Sequence, residues 1–132
     1  MTAKRKPGRC WSARGVRVRL YKVRRAASVT RDLDLIEDHL VQAYRDLGDD
    51  GERAMERAAG RIGDALSYMR TFEAHPHRGT EHPEIRSGIR TVTSRNFIFY
   101  FDIDEGLVEV RILAVFFGGV NHSRQILDRL RG

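Results

Sequence analysis

Apolar and polar residues alternate from Val16, with Val16, Val18 and Leu20 on one side, Arg17, Arg19 and Tyr21 on the other, and the pattern running to Val23. That is the two-residue period of a half-buried strand. The period then lengthens. Leu33, Ile36, Leu40, Tyr44 and Leu47 recur at helical spacing, predicting an amphipathic helix that ends near Gly48. Thr30 is placed to cap it, with Asp32 and Asp34 in the first turn, where the helix dipole favours negative charge. Gly48-Asp49-Asp50-Gly51 reads as a short connector, so the next helix should run antiparallel to the first. Its apolar stripe is Met55, Ala58, Ile62, Ala65, Met69 and Phe72. Ala54, Ala58, Ala59, Gly60 and Gly63 predict a close approach of the two helices, at some cost in helix propensity.

Pro76 makes a longer second helix unfavourable, and Gly79 and Pro83 mark a loop leading into Ile85. Strands follow. Ile85 to Thr93 alternates loosely, whereas Phe97, Phe99 and Phe101 oppose Ile98 and Tyr100, predicting a strand covered on both faces. Asp102 to Gly106 supplies a turn, and Leu107 to Phe117 returns as a largely apolar strand that closes a hairpin. Gly118 and Gly119 end it, and Asn121 is placed to cap a last helix containing Ile126, Leu127 and Leu130. The predicted fold is α+β: an N-terminal strand, an α-helical hairpin, a three-stranded antiparallel meander and a short C-terminal helix.

The 132 residues suit one domain,. Residues 1–15 read as a basic, solvated extension and 16–132 as the folded domain. The net charge of +6 suggests nucleic-acid binding until it is located,. Residues 1 to 25 hold ten Lys or Arg and no acid, which leaves 14 basic and 18 acidic residues from Ala26 onward, a formal charge of −4. The basicity therefore belongs to the amino-terminal segment, which permits weak, salt-sensitive nucleic-acid contact. A single cysteine, Cys10, forms no intrachain disulfide,. No apolar run approaches the roughly 20 residues needed to span a bilayer, and no signal-peptide pattern follows the basic start. A cytoplasmic protein without membrane partners is the expectation.

Asp32-Leu33 followed by Ile36, the Pro76 and Gly79 spacing, Ile89-Arg90 entering a strand, Phe97-Ile98-Phe99-Tyr100 and the closing hairpin occur in an order that resembles the RelE/ParE superfamily of type II toxin–antitoxin toxins. The resemblance covers about Leu20 to Leu130. It implies one of two activities: ribosome-dependent mRNA cleavage, as in RelE-like members, or inhibition of DNA gyrase, as in ParE-like members. RNA cleavage by its own 2′-hydroxyl needs a proton acceptor, cations for the developing phosphorane charge and a donor for the leaving oxygen. With Tyr100 as the family's strand tyrosine, Arg90 falls on a basic position, but Gly88 and Phe97 stand where further cations belong. Arg86, Arg95 or Arg111 would have to substitute. The Phe-Ile-Phe-Tyr strand is more like ParE, although Phe116 to His122, with its two glycines, departs from the usual ParE ending.

The resemblance therefore implies a ParE-like gyrase inhibitor with no catalytic residue and no cofactor, neutralised by a ParD-like antitoxin. Arg90, Arg95, His122 and Arg124 are the candidates for a basic face that binds the target or the antitoxin. In the alternative, a ribosome-dependent endonuclease acting on mRNA, Arg90 and His122 would be the catalytic pair, His122 because an imidazole near pKa 6.5 suits proton transfer. A second alternative is a non-toxic interaction protein with a nucleic-acid-binding tail. His75, His77 and His82, with Glu81 and Glu84, have donor chemistry for zinc or nickel. Their spacing matches no strong metal motif, and a polar loop at a helix exit explains them more simply.

Overall fold

The computed structural model describes residues 19–118 and 123–131, so the predicted boundary at residue 15 and the Asn121 cap lie outside the described residues. In chain order the elements are β1 (Lys22–Arg25), α1 (Ala27–Asp46), α2 (Gly51–Arg70), a single 3-10 turn (Thr71–Glu73), β2 (Thr80–Glu81), β3 (Arg90–Ser94), β4 (Phe97–Asp104), β5 (Glu109–Phe117) and α3 (Ser123–Arg131). One sheet has the order β1-β5-β4-β3-β2. β3, β4 and β5 form the expected antiparallel meander, and β1 lies parallel to β5 at its edge. The architecture is the α+β arrangement predicted, with the two-residue β2 added. No helix among the described residues is long and apolar enough to cross a membrane.

Both faces of the sheet are covered, which is why β4 is apolar on both sides. Phe97, Phe99 and Phe101 join Val110, Ile112 and Val115 beneath α1 and α2. Tyr100 and Ala114 face the other way, packing with Ile89 from the loop before β3 and Ile126 from α3. A β-bulge interrupts the β4–β5 register. Tyr100 pairs with Ala114 but Phe101 with Ile112, so Leu113 is the extra residue and shares the α3 side with Ala114,.

Several local expectations change. Thr30 is not the cap of α1: Ala26 holds that position and donates its backbone N–H to the Ile112 carbonyl, so the helix springs directly from the end of β1. Asp32 is then a buried residue of the helix interior. Met55 is largely exposed, and Ala54 and Ala58 are the residues fully buried on α2. Gly60 and Gly63 sit in open space, where an added Cβ would have nothing within 4 Å, so the alanines alone give the close helix contact. The strand expected from Ile85 begins at Arg90, because Ile85 N–H and Ile89 N–H are spent in local turns on the carbonyls of His82 and Arg86. The return strand begins at Glu109, since Leu107 N–H donates to Asp104 Oδ1 and the turn runs on through Val108.

The helical connector follows the sequence reading closely. Gly48 takes φ 111° after α1 and Asp50 caps α2 by accepting Arg53 N–H at 2.8 Å,. Arg95 and Asn96 both have positive φ, the geometry of a two-residue hairpin turn matched to strand twist,.

Candidate functional sheet face

The sheet face turned away from α1 and α2 carries Tyr100 and, one step along β4, Asp102. Cross-strand pairing aligns Asp102 with Arg111 of β5 and Arg111 with Arg24 of β1. Arg111 grips the carboxylate with a fork, Nε to Oδ1 at 2.9 Å and Nη2 to Oδ2 at 3.2 Å, and Arg86 adds Nη2 to Oδ2 at 3.1 Å. Asp102 is buried and its two arginines are half exposed. The hydrogen bond and charge of Asp102 hold Arg111 above its ordinary pKa. A fork of this kind satisfies the planar guanidinium edge that would otherwise be offered to a phosphate.

Tyr100 is buried beside this cluster. Its ring meets Phe116 edge-on, with centroids 5.6 Å apart, and burial raises its pKa. Ile89 and Ile126 complete the apolar packing around it. The face is thus part apolar plug and part neutralised arginine pair. Arg86 and Arg111, two of the cations able to substitute for the missing ones, do come together here, but on an aspartate. Asp102 reads in the sequence only as the start of a turn, and its one visible mark there is a charge interrupting an apolar strand.

The other candidates are dispersed. Arg90 opens β3 on the α2 side, in register with Phe101. Its Nε donates to the Arg78 carbonyl at 3.1 Å, its Nη2 to the His77 carbonyl at 2.9 Å, and its Nη1 lies 3.6 Å from Glu81 Oε1. With its side chain only 18% exposed, it fastens the segment before β2. Arg95 is at the opposite end of β3, in the hairpin turn, 71% exposed and 3.1 Å from Asp64. Arg124 belongs to α3, while its side chain and all of His122 lie outside the described residues. Phe97 is buried under the helices, and Gly88 occupies a positive-φ turn before β3.

The histidine loop is tied to protein groups. His77 Nε2 lies 2.7 Å from Glu105 Oε2, while Tyr21 donates its hydroxyl to Glu105 Oε1 at 2.6 Å. His82 lies between Glu84 and the Thr91 hydroxyl, at 2.9 and 2.8 Å. Among the described residues, no group of three or more His, Cys, Asp or Glu is arranged to hold a metal ion.

With this geometry, the chain is similar to two solved structures. One is the chromosomal ParDE toxin–antitoxin system from P. aeruginosa, at 22% identity, covering 76% of this chain and 98% of the other with a TM-score of 0.59. The other is the RelBE2 toxin–antitoxin complex from Mycobacterium tuberculosis, at 15% identity, covering 76% and 94% with a TM-score of 0.52. No family model matches the sequence, and no curated protein matches it. The chain shares its fold with these two structures.

Proposed function

We propose that this chain is the toxin of a type II toxin–antitoxin system, acting in the cytoplasm in the ParE manner: it binds DNA gyrase and stalls its cleavage–religation cycle without performing chemistry. The observation that supports this reading is the Arg86–Asp102–Arg111 cluster. On the face where RNA cleavage would need uncommitted cations beside Tyr100, the two arginines are committed to a buried carboxylate and the tyrosine is packed in an apolar plug. Stabilising a phosphorane requires donors preorganised toward the developing charge, and these point at Asp102.

A ParD-like antitoxin is the proposed partner, its flexible tail folding over apolar surface on the helical hairpin and sheet. Arg95, His122 and Arg124 are the proposed contact residues, with Arg90 acting through the loop it fastens. The second reading, a RelE-like endonuclease, draws on the convergence of Arg86 and Arg111 on one face. Supercoiling by purified gyrase, assayed beside mRNA cleavage on programmed ribosomes, separates the two. Loss of supercoiling with intact transcripts supports the gyrase reading, and cut transcripts with unaffected gyrase overturn it.

A further inference from the structure

His82 follows β2 directly, and its backbone is held from both sides. Its N–H donates to the Ile89 carbonyl at 2.9 Å, and its own carbonyl accepts from Ile85 and Arg86 at 2.9 and 3.3 Å. The imidazole is bonded through both nitrogens, Nδ1 to Glu84 Oε2 at 2.9 Å and Nε2 to Thr91 Oγ1 at 2.8 Å. An ionised carboxylate accepts hydrogen bonds and donates none. The bond to His82 is the main cause that holds the Glu84 carboxyl below its ordinary pKa, so Glu84 is ionised at neutral pH and Nδ1 carries the proton. In the neutral imidazole Nε2 is then the acceptor, and the Thr91 hydroxyl donates to it. Carboxylate, imidazole and hydroxyl thus stand in the order of an activated nucleophile whose base is oriented by a third group.

Thr91 pairs with Tyr100 across the β3–β4 ladder, so its side chain lies on the sheet face turned away from α1 and α2. Thr91 is half-buried, the His82 side chain is 29% exposed, and Glu84 is open to solvent. Half-buried Ile98, diagonal to Thr91 across the ladder, and half-buried Ile85 pack against the Tyr100 cluster,. They give the hydroxyl an apolar flank.

We propose that Thr91 is an acyl-acceptor site, with His82 as its general base and Glu84 as the residue that positions the imidazole, and that its donor is an activated ester carrying an uncharged acyl group. Thr91 Oγ attacks the acyl carbon while its proton passes to His82 Nε2. The new C–O bond replaces the bond to the leaving group, which departs with the electron pair, and the imidazolium then gives its proton to solvent. The product is an ester on Thr91. An acyl carbon is favoured over a phosphoryl group because Glu84 repels an anionic donor, whereas Ile85 and Ile98 receive an apolar acyl chain. The site does not depend on the toxin reading.

The test is incubation of the full chain with p-nitrophenyl acetate at neutral pH, followed by peptide mass spectrometry. Thr91 should be acetylated at least about 100-fold faster than Thr93, which is exposed two residues further along β3, because general-base help starts near that size,. Alkaline hydroxylamine should strip the Thr91 ester and leave any acetyl amide on Lys22 in place. His82→Gln should bring Thr91 down to the rate of Thr93, and Thr91→Ser should remain acetylated. Glu84→Gln should lower the rate about ten-fold and Glu84→Asp should restore part of it, a rescue that loss of a surface contact alone does not produce. The comparison of Thr91 with Thr93 is made within the unsubstituted chain, so it decides the matter even if His82→Gln unfolds. Equal acetylation of the two threonines, or an unchanged Thr91 rate in a folded His82→Gln variant, would overturn the proposal.

Discussion

Asp32 and Arg129, 97 residues apart, form a forked ion pair that takes the place of a missing strand at the edge of the sheet. Arg129 Nη1 and Nη2 meet the two carboxylate oxygens at 2.7 and 2.8 Å. Strand β1 pairs with β5 only as far as Ile112. Beyond that point Val115 N–H donates to Asp32 Oδ2 at 3.0 Å, and Arg129 Nη1 reaches the Leu113 carbonyl at 3.4 Å. Two side chains thereby satisfy the backbone groups a neighbouring strand would take, and the same pair fastens α3 to α1.

Asp32→Ala should therefore cost about 3 kcal/mol, because it leaves Val115 N–H and Arg129 without their shared partner. Urea denaturation measures it. In a double-mutant cycle with Arg129→Gln, the two losses should fall short of additive by at least about 1 kcal/mol, as groups in one network do. Additive losses would mean that the two residues act separately.

Two glycines predict opposite signs. At Gly79, φ is +80° and a Cβ would stand 2.1 Å from the Thr91 carbonyl oxygen. Backbone would have to move, so Gly79→Ala should destabilise by about 3 kcal/mol. At Gly60 the same substitution meets open space within a helix and should stabilise by about 1 kcal/mol. Thermal melts of the two variants, run together, check both.

Arg90→Ala should release the segment from His77 to Glu81. Two carbonyls lose a charged donor, a change worth about 1–2 kcal/mol, and amide exchange at Thr80 and Glu81 should accelerate more than exchange in β4. Lysine should rescue little, because the contact uses two separate nitrogens of one planar group,.

How much of this is legible in the sequence depends on the range of the interactions. The helical hairpin and the double-faced β4 are readable because Leu33 to Leu47 and Phe97 to Phe101 carry their period locally. Thr30 and Asp32 resemble a helix start because an acid near a hydroxyl suits one, yet Asp32 is committed to a partner in the last helix. Met55 fits the apolar stripe, but a helix on one side of a sheet buries only a narrow arc, and its neighbour Ala54 falls within it. On the candidate face, Arg86 and Arg111 are visible as cations. Their neutralisation is not, because it follows from the register that sets Asp102 opposite Arg111.

Acid should loosen the contact at the β4–β5 turn. The Tyr21 hydroxyl, and then His77, hold the Glu105 carboxyl below its ordinary value. A depressed carboxylate pKa means that the stabilisation is present above the unfolded value, near 4.5, and is lost as pH falls through the lower folded one,. In a carboxyl-detected NMR titration, Glu105 should have a midpoint below that of an exposed glutamate. The Tyr21→Phe variant should move the midpoint upward, and no movement would remove the tyrosine as the principal cause.

The gyrase account is tested most directly by incubating the purified chain with gyrase, ATP and closed circular DNA, then trapping with detergent. A stalled cleavage–religation cycle predicts linear DNA that accumulates with the concentration of the chain and disappears when a cognate antitoxin is added. No linear DNA, together with mRNA cut on ribosomes by the same preparation, would contradict the account and return Arg86 and Arg111 to a catalytic reading.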